Sequence, residues 1–188
     1  MDETVELFAV GQREFGARVH AVGDRWDAPT PNSRWSVADL VDHLIDEHRW
    51  VEPLLDGLDL TTAGEVVAGT RDPGDRTVAW DDAARLACRS VSADGALART
   101  VELSYGKTPV ADYIGEMILD LAAHSWDLGR AIDYDGELPD ALVEFALARA
   151  EAMGNQSGTP GVFAPAVEVA DDAPAIDRLV ARTGRRPG

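Results

Sequence analysis

Apolar residues recur at helical spacing through most of this chain, and clusters of Gly, Pro and Asp interrupt them at a few places. Val5, Phe8, Ala9, Phe15 and Val19 predict a first helix over 3–22, ended by Gly23. Pro29 and Pro31 mark a loop over 24–35. The second helix has the clearest start signal. Ser36 stands as its cap with Asp39 three residues later, and Trp35 and Leu40 occupy the positions of a hydrophobic staple. Val37, Leu40, Val41, Leu44, Ile45, Val51, Leu54 and Leu55 continue the stripe, with Pro53 near the last turn. Residues 56–74 are rich in Gly and Asp and read as loop. A third helix is expected over 76–93, with Trp80, Ala83, Ala84, Ala87, Cys88 and Val91 facing inward.

Residues 99–105 alternate enough for a short strand. The longest and most apolar helix follows, capped by Thr108, with Pro109 in its first position, and running to about Asp133. A fifth helix is expected from about Pro139 to Met153. Residues 154–165 carry loop punctuation, and 167–169 is brief and extended. Asp172-Ala-Pro174 opens a last helix, which Gly184 closes in the C′ position, with Arg182, Arg185 and Arg186 at its negative end. The sum is a mostly α fold with four long helices, most simply a bundle. The expected organisation is one domain over 1–188, with an extension from about residue 154 to 188 packed on it.

Charge narrows the function. The chain has 34 acidic residues against 17 basic ones, a formal net charge of -17. That argues against nucleic acid, since nothing here would neutralise phosphates, and equally against an anionic membrane surface. No run of 18 apolar residues is present, and the N-terminus lacks a signal-peptide pattern, so the expected location is cytoplasmic. Cys88 is the single cysteine, which excludes an intrachain disulfide.

The candidate chemistry sits on two helices. Asp120 and His124, four residues apart, share one face of the long apolar helix, and His43 lies on the second helix. Two imidazoles and a carboxylate brought together by helix packing would make a three-ligand divalent metal site with a position left open. The alternative is that Asp120 and His124 pair with each other in a metal-free core. A buried aspartate without a cation or several donors is costly either way. Glu47, one turn after His43, is the best spare ligand or general base, and Glu116 lies one turn before Asp120. Asp127 and His48 read as solvated or salt-bridged helix residues, with Arg130 the partner of Asp127. His20 suits the C-terminal end of the first helix, Cys88 and the tryptophans read as core, and no GxSxG, GxGxxG or P-loop pattern occurs.

Two of these segments resemble a known signature. Trp35-Ser-Val-Ala-Asp-Leu-Val-Asp-His43-Leu is similar to the W-(S/T)-V-x-D-L-V-x-H run of the mycothiol-dependent maleylpyruvate isomerase-like metal-binding proteins, part of the DinB-like superfamily. Leu119-Asp-Leu-Ala-Ala-His124-Ser-Trp-Asp-Leu-Gly-Arg-Ala131 resembles that family's D-x-x-x-H-x-W-D-L-A-R-A run. The tail, from Val162-Phe-Ala-Pro to Gly184-Arg-Arg-Pro, is similar to an uncharacterised branch.

The resemblance implies a DinB-like four-helix bundle holding a divalent metal, usually zinc, on His43, Asp120 and His124. It implies a low-molecular-weight thiol, mycothiol or bacillithiol, as cosubstrate, a small electrophile as its partner, and a homodimer. Aspartate at 120 replaces the isomerase's glutamate, and the isomerase's further C-terminal domain is not expected here. The implied function is a metal-dependent thiol transferase or isomerase, with Glu47 or Glu116 taking the thiol proton. The rival is a non-catalytic bundle that binds metal or a small ligand.

Overall fold

The computed structural model describes residues 2–31, 34–70, 74–153 and 163–187. Among them seven α-helices and one hairpin form in the order α1 (Glu3–His20), α2 (Val37–Leu55), α3 (Leu60–Gly69), α4 (Arg76–Val91), β1 (Thr100–Leu103), β2 (Gly106–Pro109), α5 (Val110–Ala131), α6 (Asp140–Ala152) and α7 (Ala175–Arg182). Four of these close a ring. α1 packs on α4 and α5, and α2 packs on the same two. α6 lies against α5 and α1, α7 against α6 and α5, and α3 against α2. The bundle interior is filled by Phe8, Phe15, Leu40, Leu44, Trp80, Ile114, Ile118 and Leu121, each essentially without solvent exposure. The expected mostly α bundle is the observed fold.

Local chemistry explains where α2 begins. Ser36 N–H donates to Asp39 Oδ2 at 2.9 Å and Asp39 N–H to Ser36 Oγ at 3.2 Å, the reciprocal pair of a capping box. This cap fixes the first turn of the helix that carries His43.

Two stretches differ from the sequence expectation. Residues 60–69 form α3 rather than loop. Asp59 caps it through Thr62 N–H, and Ala63 and Val67 supply a short buried stripe. Gly64 permits the close approach to α2, since a Cβ there would meet the Trp50 ring at 3.2 Å. Two apolar contacts on a ten-residue segment are too few to show as periodicity. Thr108 does not cap α5. It pairs with Val101 in the hairpin, where Ser104 and Tyr105 form a two-residue loop before Gly106 at φ +120°. Pro109 is the residue before the first helical turn, and the ladder has taken Thr108.

Smaller differences follow. α1 and α4 each end two residues earlier than the spacing predicts. Val167 lies in no strand; its N–H donates to the Ala181 carbonyl at 2.9 Å, tying the segment to α7. Cys88 is half-buried rather than core, in a shallow groove between α1 and α4 lined by Gln12, Gly16 and Ala84. The loop expected over 154–162 lies outside the described residues. His20 is exposed and pairs with Asp81 across to α4 at 3.0 Å.

His48 is not solvated. It is 1% exposed, stacks on Phe8 at 5.6 Å between ring centroids, and meets Trp80 edge-on at 4.7 Å. Its Nδ1–H donates to the Leu44 carbonyl at 2.7 Å. Burial pushes its pKa down to about 4.

Two predictions follow from these contacts. Ser36→Ala removes the cap and should cost about 1 kcal/mol, read as a melting-temperature drop of roughly 2–4 °C. The neutral His48 imidazole gives a pH signature. An unfolded imidazole gains a proton near pH 6.5, whereas His48 in the fold resists until about 4. Its contribution to stability is therefore full above about 6.5 and is lost as pH falls toward 4, up to about 3 kcal/mol. Urea midpoints measured between those pH values should fall less steeply in His48→Phe than in the parent protein.

Candidate metal centre

α2 carries His43 in its second turn, and α5 carries Asp120 and His124 one turn apart on one face. Packing of α2 on α5 brings the three together. Each offers one ligand atom, and all three atoms lie within 4.8 Å of one another. Asp120 Oδ2 is 3.3 Å from His43 Nε2, and Asp120 Oδ1 is 3.3 Å from His124 Nε2. One carboxylate therefore spans two imidazoles.

These separations suit a shared cation. Two donor atoms held about 2.0–2.1 Å from a tetrahedral zinc lie roughly 3.3 Å apart. The donor set of two imidazole nitrogens and a carboxylate oxygen is one that zinc accepts, with a fourth position left open. That position opens toward solvent on the His43 side. The His43 side chain is 30% exposed and Asp120 25%, whereas His124 is only 4% exposed. Trp35 flanks both imidazoles, with ring centroids 4.8 Å from His43 and 5.6 Å from His124. The sequence reading placed Trp35 in a staple; the structure makes it a wall of the site as well.

His124 is held from behind. Its Nδ1 lies 3.0 Å from Asp127 Oδ2. A carboxylate accepts, so His124 donates from Nδ1 and turns Nε2 toward Asp120 and His43. Asp127 is fully buried and paired with Arg185, whose Nη2 donates to Oδ2 at 2.7 Å. The expected Asp127–Arg130 pair does not form; the Arg130 guanidinium lies over the Trp126 ring at 5.9 Å. Arg185 was read only as a charge at a helix end. Its sequence separation of 58 residues from Asp127 gave no sign of the contact.

The electrostatics follow from the crowding. Burial disfavours charge on Asp120, His124 and Glu47, but the pairing prevails for the first two. Asp120 is held well below the ordinary carboxylate range by His124 and His43. His124 is raised above the ordinary imidazole value by Asp120 and Asp127. Glu47 is raised, first by burial and then by the nearby Asp120 charge. Glu116 stands apart from the three converging groups. It accepts a hydrogen bond from the Tyr105 hydroxyl at the hairpin tip, and Arg149 lies 3.9 Å away.

With this geometry in place, similarity to known proteins becomes informative. A family model for the mycothiol maleylpyruvate isomerase N-terminal domain matches residues 8–129. The chain belongs to this family. The match spans the bundle and all three converging side chains, and it stops before α6, α7 and Arg185. An uncharacterised protein of Mycobacterium tuberculosis, matched in two strains, is 29% identical over 168 residues, covering 86% of each chain. The crystal structure of a histidine-to-alanine mutant of the mycothiol-dependent maleylpyruvate isomerase superposes with a TM-score of 0.63 over 85% of this chain and 72% of its own, at 14% identity. At that identity the likeness establishes the fold.

One outcome is expected without any metal. In chelator-treated protein the His124 ring protons should titrate above the usual imidazole midpoint by NMR, and Asp120→Asn should move that midpoint down. An unchanged midpoint in Asp120→Asn would show that the two groups do not interact.

Proposed function

We propose that this chain is a metal-dependent thiol transferase or isomerase that joins a mycothiol-type thiol to a small electrophile. The observation that carries the reading is the convergence of His43, Asp120 and His124, with the His124 ring fixed from behind and one side open. Membership of the isomerase family supports the thiol. His43 Nε2, His124 Nε2 and an Asp120 oxygen would hold a divalent ion, zinc by donor chemistry. When bound, such an ion lowers the pKa of a coordinated thiol into the physiological range or below.

The chain's own residues then have definable tasks. Asp120 and the two imidazoles set where sulfur sits, so much of the rate gain is orientation. Glu47, half-buried one turn from His43 and with its pKa raised by burial, accepts the S–H proton. Glu116, engaged by Tyr105 and closer to solvent, is the less suited acceptor of the two. The sulfur forms a bond to carbon of the electrophile, and Glu47 returns its proton to the adduct. In an isomerisation the carbon skeleton rotates, Glu47 takes that proton back from carbon as the same S–C bond breaks, and the proton returns to sulfur to give the free thiol. Trp35 offers an apolar flank against which a planar electrophile packs.

The test is incubation with mycothiol and a panel of electrophiles, reading loss of free thiol and adduct mass. His43→Ala should lose both metal retention and turnover. Cys88→Ala should leave turnover within about twofold, because that side chain lies in the groove between α1 and α4. Asp120→Glu, one methylene longer, should keep metal while changing turnover. Retained metal with no thiol consumption across the panel would favour the non-catalytic binding reading. Full turnover after chelation, or in His43→Ala, would exclude the proposal.

A further inference from the structure

We propose that Arg185, contributed by the turn after α7, is a positioning residue for the metal ligand His124 and acts through Asp127. The inference rests on the metal reading above and extends it beyond the bundle to the end of the described chain.

The geometry is a buried relay of three groups. Arg185 is 7% exposed and Asp127 has no exposure. The guanidinium donates to Asp127 through Nη2 at 2.7 Å and through Nε at 3.2 Å to each oxygen. Asp127 Oδ2 accepts from His124 Nδ1 at 3.0 Å, and Arg185 Nη2 stands 3.5 Å from that nitrogen. A buried carboxylate facing only a neutral imidazole would be costly, and the guanidinium compensates it. The same charge makes Asp127 a weaker base, so the proton stays on His124 Nδ1 and the Nε2 lone pair stays on the ligand side.

The tail is built to deliver this group. Gly184 at φ +83° ends α7, its N–H donates to the Ala181 carbonyl at 3.1 Å, and the Arg185 N–H donates to the Val180 carbonyl at 2.8 Å. That pair of bonds is a Schellman turn, and it fixes the direction in which residue 185 leaves the helix. A Cβ at Gly184 would come within 2.8 Å of the Ala164 backbone, so this turn also packs against the segment that precedes α7. Arg185 Nη1 donates to the Thr183 carbonyl at 2.7 Å, and its Cζ lies 5.4 Å from the Phe163 ring centroid. Among the described residues, every partner of the guanidinium other than Asp127 and His124 thus belongs to the tail itself.

The experiment measures zinc affinity by chelator competition and the visible absorption of the cobalt-loaded protein, in Arg185→Gln, Arg185→Lys, Asp127→Asn and the Arg185→Gln/Asp127→Asn pair. Arg185→Gln should weaken zinc binding about 10–100-fold and shift the cobalt bands, with Arg185→Lys recovering part of both. The double variant should bind no more weakly than Asp127→Asn alone, because both changes act through one carboxylate. Reciprocity supplies a readout on the unaltered chain: zinc should slow amide exchange at residues 179–185. Wild-type affinity and an unshifted cobalt spectrum in folded Arg185→Gln would overturn the proposal while leaving the metal site intact. Unchanged exchange at 179–185 on zinc binding would overturn it even where Arg185→Gln fails to fold. Parent protein that takes up neither zinc nor cobalt would overturn the metal reading and this proposal together.

Discussion

The packing of α2 against α5 is the constraint on which everything else here depends. Neither helix alone gathers a site, since His43 is on one and Asp120 with His124 on the other. Their apolar faces, Leu40 and Leu44 on α2 and Ile118 and Leu121 on α5, are sealed in the core. That seal sets the distance between helix axes, and hence the 3.3 Å separations between Asp120 and the two imidazoles. Charged groups survive at the edge of such a core because each has an oppositely charged or hydrogen-bonding neighbour. The remaining elements support the arrangement from outside: α1 and α4 complete the ring, and α6 and α7 cover the far side of α5.

Much of this was legible in the sequence, for identifiable reasons. Long helices with strong stripes declare themselves, and the Ser36–Asp39 pair marks a helix start with local chemistry alone. The i, i+4 spacing of Asp120 and His124 placed both on one face before any tertiary information. What could not be read were contacts made across the chain. α3 has only Ala63 and Val67 to bury, so its period is too short to register, and its helicity rests on α2. Thr108 followed by Pro109 is a good cap signal, but the pairing of Thr108 with Val101 overrode it. Asp127 has an arginine three residues away in sequence, but its partner in space is one 58 residues further along the chain. His48 reads like its neighbour Glu47, yet it faces Phe8 and Trp80 on other helices.

Family membership and the site geometry answer different questions. The family match covers residues 8–129 and fixes the bundle, and the solved isomerase fixes the same fold at 14% identity. The family match stops before Arg185. The support behind His124 is thus built partly from a segment outside the family model's span.

The hairpin between α4 and α5 has a separate significance. Its tip residue Tyr105 is 65% exposed and touches α5 through Glu116, one turn before Asp120. The tip is joined to the rest of the protein by a two-residue loop and a short ladder, while Asp120 and His124 sit on a buried helix. Insertions or exchanges at that tip would therefore change the surface beside Glu116 while leaving the converging side chains in place. A scaffold divided in this way tolerates variation at the hairpin without loss of stability at the centre, which makes the hairpin the natural place to begin directed evolution.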